Sequence, residues 1–197
     1  PRVWKFNLDN QEFQSFEFNG QVSVMLASDN EGKIWFTDPP SKKIGFIDPK
    51  TARIELIELD TDGVIVGLEA DLEDNIWVAV FDKNVLIKYD QSAKTFEEYR
   101  IPTEAGGPFA LLLDSEGRLW FTESQAGKIG VLHPETGEIK EFVPKTPLKS
   151  PEALFFDTDG NLWIAEHAGP SIVKFDTALE TFEKISAPDS NSLPFGM

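Results

Sequence analysis

Apolar and polar positions along the chain fall into short blocks the size of strands, with no helical periodicity over a useful length. Residues 109–113 form an almost wholly apolar run, which is typical of a strand that is buried on both faces. A tight turn follows at 114–117, and residues 118–122 form a second strand rich in aromatic and apolar side chains. Further strands are predicted at 128–132 and 138–142, the last with clean alternation. Four short strands joined by hairpins are the pattern of one β-propeller blade.

The same pattern recurs along the chain. Its clearest marker is the segment Gly117–Glu123, whose tryptophan belongs to a series at positions 35, 77, 120 and 163 with spacings of 42, 43 and 43 residues. A fixed period in this range indicates a repeat architecture, and each unit is too short to bury its own core. We therefore predict a single array in which the four tryptophans fill the space between neighbouring blades. Each would stabilise the stack by about 3–5 kcal/mol relative to alanine.

The fold class predicted is all-β, a single incomplete propeller of four-stranded antiparallel blades. It has about four complete blades and a partial blade at each end, with boundaries at about 1–18, 22–60, 63–101, 107–144, 150–186 and 192–197. The first segment matches only the third and fourth strands of a blade, and the last matches only the start of a first strand. Because an open ring leaves strand edges unpaired, we predict part of a six- or seven-bladed ring, with five-bladed closure as the alternative.

Composition narrows the function classes. The net charge of −16, from 34 acidic and 18 basic residues, opposes nucleic-acid binding. It is typical of a solvated acidic surface, with binding of cations or basic partners as the alternative. The chain has no cysteine, which excludes disulfides and thiolate chemistry. No apolar run approaches the roughly 18 residues that a membrane span needs. The chain opens directly on a strand-like pattern without a signal peptide or initiator methionine, as in a processed or partial chain.

Three acidic residues that end second strands are the first candidates for chemistry. The loops after these strands open on the same face as the connections between blades, so Asp38, Glu123 and Glu166 are expected to face the central mouth. Several carboxylates could hold Mg²⁺ or Ca²⁺ there, although Val80 interrupts the series. The alternative is that each carboxylate is solvated or caps backbone groups at the strand end. The Asp-x-x-Gly turns of the opposite face are interpreted as turn formers.

The two histidines receive different interpretations. His133 stands where the other blades have aspartate at the start of a turn, so it is expected to accept a hydrogen bond of that turn. His167 follows Glu166 on the candidate face and is the only candidate for a base or a histidine metal ligand, with a bystander role as the alternative. With two histidines in the chain, no Ser-His-Asp triad can be assigned by spacing.

Four segments resemble the repeats of the streptogramin B (virginiamycin B) lyase family: Gly117–Glu123, Gly160–Glu166, Ala126–Gly130 and Thr136–Ile139. The resemblance covers nearly the whole chain, and it is mainly one of repeat units. It implies a seven-bladed propeller in which Mg²⁺ and a histidine base drive an elimination that linearises a cyclic depsipeptide. In that family the histidine lies fourteen residues before a metal-binding glutamate at the Trp-Phe-Thr-Glu position.

Carried onto this chain, the resemblance places Glu166 at the metal position and Glu123 at its repeat equivalent. Counting back fourteen residues finds no histidine at any blade present. Those positions form a predicted binding rim of Val24, Val66, Phe109, Glu152 and Phe195. An apolar rim of this kind suits docking of a peptide, a loop or another subunit better than base-driven elimination.

The first functional hypothesis is therefore a non-catalytic binding or scaffold module with a protein or peptide partner on this face and no certain cofactor. The alternative is a Mg²⁺-dependent lyase that uses Glu123, Glu166 and His167. A weaker alternative is a sugar-lactonase-like hydrolase with Ca²⁺ in the central channel, which needs a cage of Asn, Asp or Glu that the rim does not visibly supply. Secreted propellers of this type are common, which favours an extracytoplasmic location, although nothing in the sequence forbids the cytoplasm.

Overall fold

The computed structural model describes residues 2–20, 25–189 and 191–194. The predicted rim residues Val24 and Phe195 lie outside these ranges. The strands are β1 (Arg2–Phe6), β2 (Phe13–Glu17), β3 (Leu26–Ser28), β4 (Ile34–Asp38), β5 (Lys43–Asp48), β6 (Arg53–Glu58), β7 (Ile65–Ala70), β8 (Ile76–Val80), β9 (Val85–Asp90), β10 (Thr95–Arg100), β11 (Pro108–Leu113), β12 (Leu119–Glu123), β13 (Lys128–His133), β14 (Glu138–Phe142), β15 (Pro151–Phe156), β16 (Leu162–Glu166), β17 (Ser171–Asp176) and β18 (Thr181–Ser186). A 3-10 turn spans Pro39–Ser41, and no helix of the described residues could cross a membrane.

The strands form four antiparallel sheets of four strands and one hairpin. Blade 1 is β3–β6, blade 2 is β7–β10, blade 3 is β11–β14 and blade 4 is β15–β18. Among the described residues, β1 pairs only with β2. The first strands of successive blades contact one another in the order β3, β7, β11 and β15. The predicted all-β propeller architecture is confirmed, and within the described residues the array of blades is open.

The turns between first and second strands explain why the chain reverses where it does. Asp114 Oδ1 accepts hydrogen bonds from the backbone N–H groups of Glu116 (2.9 Å) and Arg118 (2.9 Å), which closes the turn. The residue two positions before the second strand has positive φ, +79° at Gly117, where a side chain is normally unfavourable. Blade 2 has Asp74 there with φ +64°, and aspartate tolerates this region better than most residues.

His133 accepts hydrogen bonds of its turn, as expected, and does so with its backbone carbonyl oxygen. Aspartates at its repeat position cap their own turn, as Asp90 does by accepting hydrogen bonds from the N–H groups of Ser92 and Ala93 (2.8 Å each). In the His133 turn the N–H groups of Thr136 and Gly137 bond to the His133 backbone carbonyl, and no hydrogen bond between described residues involves its imidazole. Gly137, with φ +72°, closes this turn through the backbone alone.

The tryptophans lie between blades, as predicted, wherever a following blade is present. Trp35 and Trp77 are fully buried and belong to clusters that include residues of the next blade. Trp120 is 2% exposed; its ring stacks on Phe142 at 5.5 Å and meets Phe175 of blade 4 at 5.9 Å. Trp163, in the last sheet, is only partly buried. The tryptophan period is therefore a period of contacts between blades.

Candidate functional site

The three strand-end acids occupy internal positions. Asp38, Glu123 and Glu166 each have 0% of their surface exposed. We call the residues just before each first strand the lead-in segment of that blade; Gly20, Gly63, Gly106 and Lys149 occupy its equivalent positions at intervals of 43 residues. A Cβ atom added to Gly20 would lie 2.5 Å from Asp38 Oδ2, and one added to Gly106 would lie 2.7 Å from Glu123 Oε2. The strand-end side chain therefore packs directly against the lead-in segment of its own blade.

Blade 2 shows that this position has a packing role. Val80 replaces the acid at this position and is fully buried. A Cβ atom added to Gly63 would lie 2.3 Å from Val80 Cγ1. An apolar side chain thus occupies the same space under the lead-in segment. The interruption of the acidic series at Val80 preserves this packing.

Glu166 is engaged by the chain itself. Its Oε1 accepts a hydrogen bond of 2.7 Å from the backbone N–H of Lys149, in the lead-in segment of blade 4. Its Oε2 lies 2.6 Å from Nζ of Lys184 on the outermost strand β18. The carboxylate therefore caps backbone and forms an ion pair within its own blade, since a buried charge needs both kinds of partner.

Glu123 lies in a different environment. Burial raises the pKa of its carboxyl to about 7, and the negative charge of Glu141 adds to the effect while Lys128 opposes it. Glu141 is held by Thr103, whose N–H and hydroxyl each donate to it at 2.8 Å, and by Lys128 Nζ at 3.7 Å. Neither Glu123 oxygen has a well-aligned hydrogen bond among the described residues. The arrangement favours a carboxyl that holds its proton near neutral pH.

No three His, Cys, Asp or Glu side chains of the described ranges come together in a group that could hold a metal ion. Asp38, Glu123 and Glu166 end the second strands of three different blades, and Glu166 bonds to Lys149 and Lys184 of its own blade. Their assignment as metal ligands stays a prediction.

The described part of the rim is apolar at two positions and polar at one. Val66 and Phe109 are partly buried near the starts of β7 and β11. Phe109 meets Phe81, which follows β8, edge to face at 6.4 Å. The backbone of β7 approaches closely, because a Cβ atom on Gly67 would lie 2.0 Å from the Phe109 carbonyl oxygen. This close approach places the aromatic pair at the junction of blades 2 and 3.

Glu152 is the polar member of the rim, and it lies in a network that the sequence reasoning missed. Ser150 Oγ donates to Glu152 Oε1 at 2.7 Å, Ser124 Oγ lies 3.5 Å from the same oxygen, and the two hydroxyls are 3.0 Å apart. An alignment of the repeats could have revealed this network, because Ser124 and Ser150 stand at the positions of Phe81 and Gly107 in the preceding repeat.

His167 is exposed next to this network. Its backbone N–H donates to the Ser150 carbonyl oxygen at 2.9 Å, which ties the loop after β16 to the lead-in segment of blade 4. A role for its imidazole as base or metal ligand stays a prediction.

Comparison with known proteins places these features in a family. The sequence profile of the Virginiamycin B lyase family matches residues 7–197. A curated relative, virginiamycin B lyase of Bacillus licheniformis, is 40% identical over 42 residues, which cover 21% of this chain and 14% of that protein.

Solved structures of lyases support the same family assignment. A catalytically inactive histidine-to-alanine variant of virginiamycin B lyase from Staphylococcus aureus, with quinupristin, superposes with a TM-score of 0.88 at 27% identity over 99% of this chain and 66% of that chain. A streptogramin B lyase structure gives a TM-score of 0.89 at 26% identity over 99% of this chain and 65% of its own. The nidogen/laminin complex, at 16% identity and a TM-score of 0.80, shows the fold alone. This chain spans just under two thirds of the length of the solved lyases. By its profile match and its structure, the chain belongs to the virginiamycin B lyase family.

Proposed function

We propose that this member of the family acts as a non-catalytic binding or scaffold module, which docks a protein or peptide partner on the upper face, the face that carries the lead-in segments. The observation that carries the proposal is the state of Glu166. The residue at the family's metal position is fully buried, with one oxygen on the Lys149 N–H and the other on the Lys184 ammonium. A carboxylate bound in this way is a structural cap rather than an open ligand.

The chemistry of the rim supports the same proposal. The resemblance predicts a catalytic base at the positions of Val66 and Phe109, and neither side chain can take a proton. A partly buried apolar surface with an aromatic pair is the kind of surface that supplies anchor points in protein interfaces.

Partner capture with matched variants tests the proposal. The tagged chain is isolated from its native cells and its complexes are weighed by native mass spectrometry, beside the variants Phe109→Asp and Leu72→Asp. Leu72 is 62% exposed on the opposite, lower face. We expect a stoichiometric partner that Phe109→Asp releases and Leu72→Asp retains. A lone monomer, or a partner that is indifferent to Phe109→Asp, contradicts docking on the upper face.

The second candidate is a Mg²⁺-dependent lyase, favoured by the family assignment and by the predicted match of Glu166 to the family's metal position. Glu123 and Glu166 would hold the metal and His167 would act as base. The bonding of Glu166 to Lys149 and Lys184 does not fit an open metal site. Turnover of a streptogramin B that is abolished both by EDTA and by Glu166→Ala would support this candidate.

A further inference from the structure

Two neighbouring junctions of the upper face differ in chemistry at equivalent positions. In each junction, a residue after a second strand meets the lead-in segment and the first strand of the next blade. Between blades 2 and 3 these positions are apolar or glycine, and between blades 3 and 4, always 43 residues later, they are polar. The two sets are Phe81, Gly107 and Phe109, and Ser124, Ser150 and Glu152.

The polar set is a connected network. Ser124 is 7% exposed, and its hydroxyl lies 3.0 Å from that of Ser150. Ser150 donates to Glu152 Oε1 at 2.7 Å. The two hydroxyls thus hold one oxygen of the Glu152 carboxylate in place. The rest of this partly buried carboxylate is directed to the upper surface.

The backbone adopts an unfavourable conformation at the centre of this network. Ser150 has φ +51°, in the left-handed region, where its repeat equivalent is Gly107 with φ +65°. Glycine is the residue that occupies this region without strain. Serine at this position places a hydroxyl against Glu152, and strained residues of this kind are concentrated at binding and catalytic sites.

Glu152 has no protein counter-ion within the described parts of the chain. It is absent from all ten ion pairs there, and its Oε2 accepts no hydrogen bond from any described residue. One carboxylate with two hydroxyls supplies too little charge and too few oxygens for a hard divalent cation, which takes six or more. It suits a cationic hydrogen-bond donor.

We propose that Ser124, Ser150 and Glu152 bind the ammonium or guanidinium group of a basic side chain in a partner peptide. The strand β11, which carries Phe109, contacts β15, which carries Glu152. The aromatic pair Phe81–Phe109 therefore receives an apolar residue of the same peptide. This assignment rests on the proposed binding function and names the chemistry of its partner.

Two short peptides test the assignment against the intact chain: acetyl-Leu-Lys-Leu-amide and its twin with norleucine in place of lysine, which has the same length without the charge. Binding is followed by calorimetric or NMR titration at low salt, because the attraction between exposed charges weakens as ionic strength rises. We expect the lysine peptide to bind about tenfold more tightly, equivalent to about 1.4 kcal/mol.

Two variants separate the triad from the apolar surface. Glu152→Gln keeps the side-chain shape and should abolish the preference for lysine. Ser150→Gly removes the hydroxymethyl side chain from a backbone conformation that suits glycine and should reduce the preference. Circular dichroism and urea unfolding verify that both variants are folded. Equal binding of the two peptides, or a preference for lysine that survives Glu152→Gln, overturns the assignment. In either case the proposed binding module still stands if Phe109→Asp abolishes the binding of both peptides. Binding of neither peptide overturns the assignment and counts against the module.

Discussion

The carboxylate of Asp114 accepts a hydrogen bond of 2.8 Å from the indole nitrogen of Trp120, six residues along the chain. The bond gives the buried indole N–H a partner and ties the lower-face turn to the contact between blades. The same bond recurs once in each of the four blades, between Asp29 and Trp35 (2.9 Å), Asp71 and Trp77 (2.9 Å), and Asp157 and Trp163 (2.8 Å). The aspartates of the turn motif therefore anchor the tryptophans of the repeat.

Replacing Asp114 with alanine should destabilise the chain by about 3 kcal/mol, because the indole N–H, two turn N–H groups and the Arg118 side chain lose a charged acceptor. Urea unfolding measures the loss. Asp48→Ala is the control, since Asp48 bonds only within its own exposed turn. Equal losses for the two variants would show that turn capping alone, without the tryptophan anchor, accounts for the effect.

The tryptophans should contribute unequally. Trp77→Ala removes a fully buried ring between blades 2 and 3 and should cost about 3–5 kcal/mol. Trp163→Ala removes a partly buried ring from the last sheet and should cost distinctly less in this 197-residue chain. Thermal unfolding of the two variants measures the difference. A loss for Trp163→Ala as large as that for Trp77→Ala would contradict the assignment of stability to contacts between blades.

Glu123 should make stability fall as pH rises towards neutrality. Burial, with the charge of Glu141, raises the pKa of its carboxyl from 4.5 to about 7 in the folded chain. Between these values the folded state keeps a proton that the unfolded state has lost, so unfolding free energy falls by about 3 kcal/mol across this window and is level above it.

The variant Glu123→Gln isolates this effect, because its amide does not titrate. The unfolding free energy of the wild type minus that of the variant should fall between pH 4.5 and pH 7. Glu98→Gln, which removes an exposed carboxylate from β10, controls for the change in net charge. A difference between wild type and Glu123→Gln that matches this control across the pH range would contradict the raised pKa of Glu123.

Asp157 should make the stability of the fold decrease as pH falls, which is opposite to the effect of Glu123 and occurs at more acidic pH. The hydrogen bond from the Trp163 indole, followed by those from Asn161, lowers the pKa of Asp157 from 3.8 to about 2. A depressed pKa contributes stability that is complete above 3.8 and is lost as pH falls through about 2. The advantage of wild type over Asp157→Asn in acid titrations followed by circular dichroism should therefore shrink between pH 4 and pH 2. An advantage that is constant over this range would contradict the depressed pKa.

The repeat made the fold readable from the sequence, because strand alternation and the tryptophan period are local patterns. The environment of Glu123 was not readable in the same way. The last side chain of a strand can point to the central mouth or pack under a lead-in segment. For Glu123 the outcome depends on how the lead-in segment that contains Gly106, seventeen residues earlier, folds back onto it. The network of Ser124 and Glu152 joins two blades across 28 residues, so no local pattern marks it. The repeat predicted a turn hydrogen bond to His133 but not its closure through the backbone carbonyl, which the positive φ of Gly137 allows.

Titration with Mg²⁺ tests most directly whether Glu166, which the resemblance predicts to stand at the family's metal position, is a structural cap in this chain. Isothermal calorimetry with MgCl₂ into the millimolar range, beside thermal unfolding with and without the salt, should detect no specific binding and no stabilisation. Glu166→Gln should still lower the unfolding temperature, because the Lys184 ammonium loses its buried partner. Binding of Mg²⁺ at submillimolar concentration that Glu166→Gln abolishes would contradict the account and favour the lyase.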